Sequence, residues 1–341
     1  MKQLVTGSNG FLGAALVERL LARGERDVVC LVRPGSDRSK LDGVLEKFPG
    51  SGVQVVTGSL GSVKSAAALL DGVGTVHHLA ATVAAPPADM FLGTVVATKN
   101  LVEAMLARPG GPPKLVLVSS FGVYGVADLA RGAVVDETTP LEHRPAERDV
   151  YSHSKLRQEE LVRDYYARTP FPLVILRPGV IYGPNGSPMS GRIGLRLPGL
   201  FLHLGRNNVL PLSYVDNCAE AICVAAERAR FDGDVYNVHD DDLVTCDVFL
   251  SRYRREVEGL RVVSLPYPVL RLLSRAVLGY HKASKGQLPA ILSPYKTATT
   301  WKGNRFSNAK LRALGWRPIL STEEGIARTF EALRARLAQA A

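Results

Sequence analysis

The sequence is poor in cysteine and tryptophan, and it contains no long apolar run. Its four cysteines among 341 residues show neither metal-ligand spacing nor a paired disulfide pattern. We therefore expect no metal site and interpret them as small buried side chains in a reducing cytoplasm. No segment approaches the ~20 apolar residues that a membrane-spanning helix needs. Met1 to Gln3 lead directly into a predicted strand, which leaves no room for a signal peptide. These absences predict a globular cytoplasmic protein.

Acidic residues are also in deficit, because 42 lysines and arginines face 32 aspartates and glutamates and give a net charge of +10. Such a charge suits nucleic acid, an anionic membrane surface or a phosphorylated ligand. Zinc-finger spacing, an RNA-recognition signature and a heptad-linked basic region are all missing from the sequence, so nucleic acid is disfavoured. An arginine-rich solvated surface without a specific partner explains the charge equally well.

Three glycines spaced three apart occupy the first predicted turn. The segment Thr6-Gly7-Ser8-Asn9-Gly10-Phe11-Leu12-Gly13 lies between a predicted strand (Leu4, Val5) and a predicted helix (Ala14 to Leu21). A turn of this kind needs residues without a Cβ, so that a pyrophosphate can approach the backbone and meet the amides of the helix N-terminus. Glycines cluster in many turns, so the position between strand and helix carries most of the signal. The segment predicts a dinucleotide phosphate site.

Strands and helices alternate along the first half of the chain, which predicts a parallel sheet with right-handed crossovers. We therefore expect an α/β fold with a Rossmann-type doubly wound parallel sheet and a smaller, interleaved C-terminal substrate-binding lobe. The dinucleotide-binding domain is predicted over 1–178, with 206–240 returning to it, and the substrate lobe over 179–205 and 241–341. The predicted strands are Val28–Val32, Val53–Val56, Thr75–Leu79, Leu115–Val118, Leu173–Leu176 and Val235–Val238, and the predicted helices are Ser62–Leu70, Thr94–Ala107, Tyr151–Tyr166, Val215–Arg228 and Ser321–Leu337.

A tyrosine and a lysine lie four residues apart at the start of a predicted helix, in Tyr151-Ser152-His153-Ser154-Lys155. Residues four apart share one helix face, so the phenol and the ammonium project together. A nearby cation favours the phenolate and brings a phenol of pKa ~10 into the range of proton transfer. Ser120 follows a strongly apolar strand, where its hydroxyl can reach a substrate oxygen or simply cap a turn. Such a pair is common on surface helices, so the pair alone is weak evidence.

Short motifs occur in order along the chain. They are Thr6 to Gly13, His78-Leu79-Ala80-Ala81, Val118-Ser119-Ser120, Tyr151 to Lys155, Leu176-Arg177-Pro178-Gly179-Val180-Ile181-Tyr182-Gly183-Pro184, Tyr214-Val215-Asp216-Asn217, Tyr236-Asn237-Val238 and Leu314-Gly315-Trp316. In this order they resemble the extended (atypical) short-chain dehydrogenase/reductase family, within the NAD-dependent epimerase/dehydratase superfamily. The resemblance covers nearly the whole chain.

The resemblance implies an enzyme and a role for each motif. It implies Tyr151 as the general acid/base, Lys155 as the cation that lowers the phenol pKa and binds the nicotinamide ribose, and Ser120 as the group that holds the substrate oxygen. The helices from Thr94 and Tyr151 resemble the pair that forms a dimer interface in relatives, so a homodimer is expected. The residues implied in cofactor binding are Thr6, Gly7, Ser8, Asn9, Gly10, Phe11, Leu12, Gly13, Arg33, Arg38, Ser59, Leu60, Leu79, Ala80, Ala81, Ser119, Tyr151, Lys155, Pro178, Gly179 and Val180.

The cofactor is predicted to be NADP, and NAD stays possible as the alternative. The second predicted strand is followed by Arg33, where NAD-preferring relatives usually carry an acidic residue, and Arg38 lies near enough to assist. Arg33 can instead stack on adenine without selecting either cofactor. Two departures from the family pattern are Ser59, which replaces an aspartate that reaches the adenine, and Thr94, which replaces an asparagine.

The substrate is predicted to be a largely apolar small molecule with a carbonyl or hydroxyl group. The chain resembles the 3β-hydroxysteroid dehydrogenase and dihydroflavonol reductase branch, so we expect a ketoreductase or alcohol dehydrogenase of the kind used in secondary metabolism, acting on a steroid-, flavonoid-, polyketide- or prenyl-like molecule. An NAD-dependent sugar-nucleotide epimerase or dehydratase is the alternative, and a non-catalytic dinucleotide-sensing regulator is a further one. The predicted substrate contacts are Val83, Phe91, Phe121, Tyr182, Met189 and Phe201.

A basic, amphipathic stretch runs from Pro266 to Leu292 in the predicted C-terminal lobe. It can act as a lid that also contacts an anionic membrane, which would place the protein peripherally on that membrane. The competing interpretation is a helix that packs on its own lobe.

Overall fold

The fold is known from a computed structural model, which describes residues 1–83, 85–187, 189–283 and 292–340. The strands are β1 (Lys2–Thr6), β2 (Val28–Val32), β3 (Gln54–Thr57), β4 (Val73–His78), β5 (Lys114–Val118), β6 (Val134–Val135), β7 (Leu173–Pro178), β8 (Val180–Tyr182), β9 (Gly194–Leu197), β10 (Leu200–His203), β11 (Leu212–Tyr214), β12 (Asp232–Val238), β13 (Val262–Ser264) and β14 (Arg305–Phe306).

Helices cover both faces of the sheet formed by these strands. They are α1 (Phe11–Ala22), α2 (Ser39–Lys47), α3 (Val63–Ala67), α4 (Pro87–Phe91), a π-helical turn (Leu92–Val96), α5 (Ala97–Leu106), α6 (Val150–Arg168), α7 (Val215–Arg228), α8 (Cys246–Glu256), α9 (Tyr267–Ala283), α10 (Pro294–Trp301), α11 (Ala309–Ala313) and α12 (Thr322–Ala340), with 3-10 turns at Phe121–Val123 and Pro145–Glu147.

Seven parallel strands form the central sheet in the order β12-β7-β5-β4-β1-β2-β3. The predicted doubly wound parallel fold is therefore confirmed. The central strands are apolar on both faces because helices cover both sides: Val116 and Val118 of β5 pack into one core cluster with α1 and α7, while Leu115 and Leu117 pack into the other with α5 and α6.

Several elements differ from the predicted ones. The predicted helix Thr94–Ala107 begins inside the π-helical turn and continues as α5, and α4 precedes both. The Thr94 hydroxyl within the turn accepts from the Thr82 amide at 3.1 Å. The helices α2 and α8 were not predicted. In α2 only Leu41 and Val44 are buried, which is too short an apolar pattern to recognise. The sequence did contain a signal for α8, because threonine is a favoured N-cap residue. In the structure the Thr245 hydroxyl caps α8 by accepting from the Val248 amide.

The C-terminal part adds small sheets and helices beside the carboxyl ends of the central strands. Its core joins α8 to α12, where Phe249 and Tyr253 meet Phe330 edge to face at 5.2 and 5.7 Å. Most of the predicted amphipathic stretch forms α9, and among the side chains of that helix that the structure describes only Leu270 and Ser274 are buried. The part of the stretch at 284–291 lies outside the described residues.

Neither a membrane span nor a metal cluster occurs in the described ranges. No helix there is long and apolar enough to cross a bilayer, and no three His, Cys, Asp or Glu side chains are grouped to hold a metal ion. The four cysteines are free and buried, and burial raises the pKa of each thiol to about 12. They are therefore protonated packing residues at neutral pH.

Candidate active site

The carboxyl ends of four parallel strands meet at one edge of the central sheet. Thr6 ends β1, His78 ends β4, Val118 ends β5 and Pro178 ends β7. β1 lies directly beside β4 although β2 and β3 intervene in the chain, so the two halves of the sheet diverge here. Doubly wound sheets bind ligands at this switch point.

Gly7 and Gly13, in the turn between β1 and α1, have no room for a side chain. Gly7 has a φ of 71°, and a Cβ on it would lie 3.0 Å from the Ala80 nitrogen. A Cβ on Gly13 would lie 2.0 Å from the Gly7 carbonyl oxygen. Gly10 is the N-cap of α1 and supplies no side-chain acceptor, so the first-turn amides of residues 11–13 have no capping side chain among the described residues. This backbone cradle fits a dinucleotide pyrophosphate.

The polar residues of the same turn hold it in place. Ser8 donates its hydroxyl proton to the Leu31 carbonyl at 2.9 Å, and the Asn9 amide donates to the Asp37 carbonyl at 2.7 Å. Leu12 packs against the core cluster under α1. These side chains therefore act on the cofactor site by fixing the turn to the segment after β2.

The residues predicted to contact the adenosine end lie along the ends of β2 and β3. Arg33 is exposed, and its guanidinium has no partner within the described residues. Arg38 pairs with Asp42 at 2.9 Å. Ser59 is exposed, whereas Leu60 is buried with 6% exposure. Arg33 is thus the cation available to a phosphorylated ribose, while Arg38 is partly neutralised.

The remaining predicted cofactor residues line the middle of the same edge. The segment 79–81 follows β4, and the Ala80 amide donates to Thr6 Oγ1 at 3.2 Å. Gly179 lies so close to the Pro211 carbonyl that a Cβ would come within 2.1 Å of its oxygen. Val180 faces a cavity that also contains Tyr151.

Ser120, Tyr151 and Lys155 come from two elements that converge beyond β5. Tyr151 and Lys155 lie on the first two turns of α6, whose N-cap is Asp149. Ser120 precedes a 3-10 turn, and its hydroxyl accepts from the Gly122 amide at 3.0 Å. The Ser120 hydroxyl also lies close enough to the phenol of Tyr151 to lower its pKa. The structure therefore brings a hydroxyl and a phenol together where a substrate oxygen could meet both.

Lys155 is buried, with 2% exposure, and its ammonium is hydrogen-bonded inside the fold. Its Nζ donates to the Val118 carbonyl at 2.6 Å and to Gln158 Oε1 at 2.5 Å. Burial lowers the pKa of Lys155 to about 7, against an opposing effect of the Glu159 carboxylate. The side chain therefore titrates near neutrality.

Burial raises the pKa of the Tyr151 phenol above its ordinary value, and the hydrogen bond with Ser120 only partly opposes this effect. The depression of the phenol pKa by Lys155, expected from the sequence, is therefore not a feature of this arrangement. The physical reason is that the ammonium is held by the Val118 carbonyl and the Gln158 amide oxygen instead.

A buried ion pair fixes α6 to the sheet beside these residues. Arg177 of β7 donates to both carboxylate oxygens of Glu159, and Ser119 donates to Glu159 Oε2 at 2.6 Å. Burial alone would raise the pKa of Glu159, but its hydrogen bonds and the Arg177 charge hold that pKa below the usual range. The Arg177 guanidinium also lies 4.6 Å from the Tyr124 ring centroid. The Ser119 hydroxyl therefore serves this pair, and the predicted contact of Ser119 with a cofactor stays a prediction.

A cavity of about 580 Å³ contains the Tyr151 side chain. No charged residue is among its lining residues in the described part of the chain. The lining is mainly aliphatic and aromatic, with two serines, which makes the cavity a mostly apolar chamber. Its members are Val83, Tyr151, Val180, Ile181, Tyr182, Ser187, Met189, Ser190, Gly191, Ile193, Leu212 and Phe249.

The predicted substrate residues divide into two groups. Val83, Tyr182 and Met189 line the cavity with Tyr151, as expected. Phe121 and Phe201 are not among its lining residues, and both are core side chains with 5% and 3% exposure. Phe121 stacks on Phe306 at 5.4 Å, which fixes its ring in a separate small core.

Phe91 also lies off the cavity lining. Its ring meets the His153 ring edge to face at 5.2 Å, so it joins α4 to α6. The cavity residue Phe249, which sequence reasoning missed, comes from α8, a helix that was not predicted. Gln158 was missed as well, although its position three residues after Lys155 on one helix face was a readable signal.

A second cavity, of about 660 Å³, lies between the 144–148 turn, α9 and α10. Neither Tyr151 nor Lys155 lines it. Two arginines of this cavity already have acidic partners. Arg144 pairs with Asp128 at 3.1 Å and stacks 4.1 Å from the Tyr295 ring centroid. Arg148 lies 3.6 Å from a carboxylate oxygen of Glu142. This cavity is larger than the one beside Tyr151, but it lacks the candidate catalytic residues, so we do not assign it as the reaction site.

Comparison with known proteins agrees with this geometry. Residues 3–238 match the model of the NAD dependent epimerase/dehydratase family. The chain is 26% identical over 355 residues to the mouse (Mus musculus) sterol-4-alpha-carboxylate 3-dehydrogenase, decarboxylating, covering 97% of this chain and 90% of that protein. It is also 26% identical over 354 residues to the 3-beta-hydroxysteroid dehydrogenase of Mycolicibacterium neoaurum, covering 95% and 89% respectively.

A solved structure has the same fold. The crystal structure of a dTDP-glucose 4,6-dehydratase from Streptomyces venezuelae, with NAD bound, superimposes with a TM-score of 0.74 at 22% identity, covering 99% of this chain and 98% of that one. At this identity the match concerns the fold alone. The family model covers more than two thirds of the chain and includes the glycine turn, Ser120, Tyr151 and Lys155. The chain belongs to the NAD dependent epimerase/dehydratase family, and it is an NAD(P)-dependent oxidoreductase of the extended short-chain dehydrogenase/reductase type.

Proposed function

We propose that this protein is an NADP-dependent ketoreductase or alcohol dehydrogenase that acts on a largely apolar small molecule. The observation that carries the proposal is the position of Tyr151, which lies in a mostly apolar cavity at the carboxyl edge of the sheet with the Ser120 hydroxyl beside its phenol. The sterol- and steroid-acting names of the relatives support the same substrate class.

The residues divide the chemistry between binding and proton transfer. When bound, the nicotinamide supplies or accepts the hydride. The Ser120 hydroxyl holds the substrate oxygen, and Tyr151 gives its phenolic proton to that oxygen in the reductive direction or takes it back in oxidation. The raised pKa of Tyr151 keeps the phenol protonated at neutral pH, which suits reduction of a carbonyl. The apolar walls exclude water and position the carbon skeleton.

The proposed preference for NADP rests on Arg33. Its guanidinium is exposed beyond β2 and has no partner within the described residues, and such a planar fork suits a 2′-phosphate. Asp37 is the nearest carboxylate in the following segment, and its side chain accepts from Ser39 at 2.9 and 3.0 Å. It is therefore already hydrogen-bonded within its own turn.

We also propose a homodimer built on the helices before and after β5. Leu92 and Val96, at the two ends of the π-helical turn before α5, expose 57% and 39% of their surface and form an apolar patch.

We also propose a peripheral contact of α9 with an anionic membrane, because several apolar side chains of α9 are exposed.

The test of the proposed function is NADPH oxidation against a panel of steroid, flavonoid-like, prenylated or polyketide aromatic ketones and sugar nucleotides. We expect turnover of an apolar ketone, and we expect Tyr151→Phe to lower kcat roughly 10²- to 10⁴-fold because it removes the proton donor. Tyr166→Phe, which removes a phenol hydroxyl near the other end of α6 and away from the cavity lining, serves as the control. Full turnover by Tyr151→Phe, or turnover confined to sugar nucleotides, would refute the proposal.

A further inference from the structure

A chain of buried hydrogen bonds joins Lys155 to the glycine turn. Lys155 Nζ donates to Gln158 Oε1 at 2.5 Å, and Gln158 Nε2 donates to Thr98 Oγ1 at 2.7 Å. The Thr98 hydroxyl lies 2.8 Å from His78 Nε2, and His78 Nδ1 lies 2.8 Å from Thr6 Oγ1. Thr6, His78, Thr98 and Gln158 have no exposed surface. The chain thus spans α6, α5, β4 and β1 without reaching solvent.

The direction of every hydrogen bond in this chain follows from its threonines. The single hydroxyl proton of Thr98 goes to the Thr94 carbonyl, 2.6 Å away. Thr98 Oγ1 must therefore accept from both Gln158 Nε2 and His78 Nε2. His78 is then the neutral tautomer with its proton on Nε2, and its Nδ1 accepts from the Thr6 hydroxyl. Burial, and to a smaller extent the charge of Lys155, lowers the pKa of His78 to about 3, so this tautomer persists at neutral pH.

The same chain determines how the Lys155 ammonium is used. An ammonium has three N–H donors, of which one goes to the Val118 carbonyl and one to Gln158. The third has no partner among the described residues, which leaves it for a ligand. The titratable groups that interact with this ammonium are His78 from β4 and Glu159 from its own helix, α6.

We propose that Gln158 is a positioning residue, which orients the Lys155 ammonium and, through Thr98 and neutral His78, couples it to Thr6 in the dinucleotide-binding turn. The inference deepens the proposed function and rests on it, because it assigns Lys155 a place beside the reacting groups. Through this chain, a shift of the glycine turn on dinucleotide binding is transmitted to the residue that binds the ribose. A rotation of Gln158 would leave two buried donors and an acceptor unpaired, so the arrangement resists change.

The first test uses two substitutions with opposite electrostatic effects. Gln158→Leu removes an acceptor from the ammonium, whereas Gln158→Glu places a carboxylate beside it. We expect the pH midpoint at which NADP binding weakens, measured by tryptophan fluorescence, to fall by about one unit in the first variant and to rise by about one unit in the second. The alkaline limb of kcat should move in the same two directions. Gln54→Leu and Gln54→Glu, on the exposed edge strand β3, are the matched controls.

A second measurement does not depend on cofactor or activity. The ¹⁵N imidazole spectrum of the cofactor-free protein should show His78 as the Nε2–H tautomer down to below pH 5. Thr98→Val should change this signal and move the NADP-binding midpoint, and Thr98→Ser, which keeps the hydroxyl, should restore both.

The outcomes separate this inference from the proposed function. Equal or same-direction midpoints in the two Gln158 variants, or a His78 that titrates near its ordinary pKa, would overturn the coupling while leaving the role of Tyr151 intact. Full turnover by Tyr151→Phe would instead refute the proposed reaction, and the spectrum and the binding midpoints would still test the chain of hydrogen bonds.

Discussion

Two helices of similar length, α6 and α9, depart from the usual burial pattern in opposite ways. α6 has 19 residues and buries Ser152, Ser154, Lys155, Gln158 and Glu159 together with only two apolar side chains. α9 has 17 residues and buries Leu270 and Ser274, while leaving several large apolar side chains exposed. Polar residues thus face inward on the first helix and apolar residues face outward on the second.

The difference separates a helix whose polar side chains are held inside the fold from a helix with an exposed apolar face. Buried polar groups on α6 are tolerated because nearly every one has a partner, which fixes the reacting groups in one geometry. The exposed apolar residues on α9 lack partners within the described residues, as expected for a surface that meets something outside the fold. The buried polar side chains of α6 are therefore held inside the fold, whereas α9 leaves an apolar face exposed.

The largest effect is expected from breaking the buried ion pair under α6. Arg177→Met leaves the Glu159 carboxylate buried with one strong partner removed, so the free energy of unfolding should fall by about 3–5 kcal/mol. Arg196→Met removes an exposed pair with Glu258 and should cost at most about 1 kcal/mol. Urea unfolding of both variants measures the contrast. Equal losses would mean that the α6 network is no more important than a surface pair.

A pH-dependent stability effect should follow from Lys155. Its folded pKa of about 7 lies below the unfolded value of ~10.4, so below pH 7 both states are protonated and the cost of burying the ammonium is present in full. Between these values the folded side chain is neutral and the unfolded one charged, so that cost is removed and stability rises with pH.

The comparison that isolates this effect is wild type against Lys155→Met. From pH 7.5 to 9.5 the stability of the wild type relative to the variant should increase, by at most about 3 kcal/mol at ~1.4 kcal/mol per unit. Lys64→Met, at an exposed position of α3, should give a flat difference. A flat curve for Lys155→Met as well would show that the lysine is not desolvated.

The sequence allowed the fold and the polar positions of the site to be predicted, because local signals specify both. The glycine turn, the apolar strands and the Tyr151–Lys155 spacing each depend on residues close together in the chain. The partners of Lys155 could not be derived in this way, since Thr98 and His78 come from other elements. The aromatic residues that line the cavity could not be predicted for a related reason. Phe121 and Phe249 are both apolar, and only tertiary packing decides which of them faces the cavity.

Cofactor selectivity tests the prediction that Arg33 remains free for a ligand. Arg33→Ser should reduce the preference for NADPH over NADH by roughly 10- to 100-fold, the value of a charge-assisted contact with the 2′-phosphate. Arg38→Ser should have a smaller effect because Arg38 is paired with Asp42. The ratio of kcat/KM for the two cofactors is the measurement. A wild-type enzyme that prefers NADH, or an unchanged ratio in Arg33→Ser, would contradict the assignment.

The smallest effect is expected at the exposed face of α9. Val269, Leu272, Leu273 and Tyr280 expose 43%, 66%, 43% and 65% of their surface on one amphipathic helix, and Arg271 beside them is a cation that suits anionic lipid. α9 also packs on its own lobe, where Leu270 joins a core cluster with Leu204 and Trp301, and the membrane contact of its exposed face is a proposal. Partition onto vesicles of phosphatidylglycerol and phosphatidylcholine at low salt should exceed partition onto phosphatidylcholine alone.

The double substitution Leu272→Ser/Leu273→Ser should weaken binding to the anionic vesicles about tenfold, because it removes the most exposed apolar pair from the bilayer interface. Ile319→Ser changes a residue of similar exposure, 42%, outside this helix and should leave vesicle binding unchanged. If the double variant binds vesicles as well as wild type does but elutes as a smaller species in size-exclusion chromatography, the face is a contact between subunits. The contrast with α6 would then survive in a different form, because the open surface of α9 would be completed by a second copy of the chain instead of by lipid.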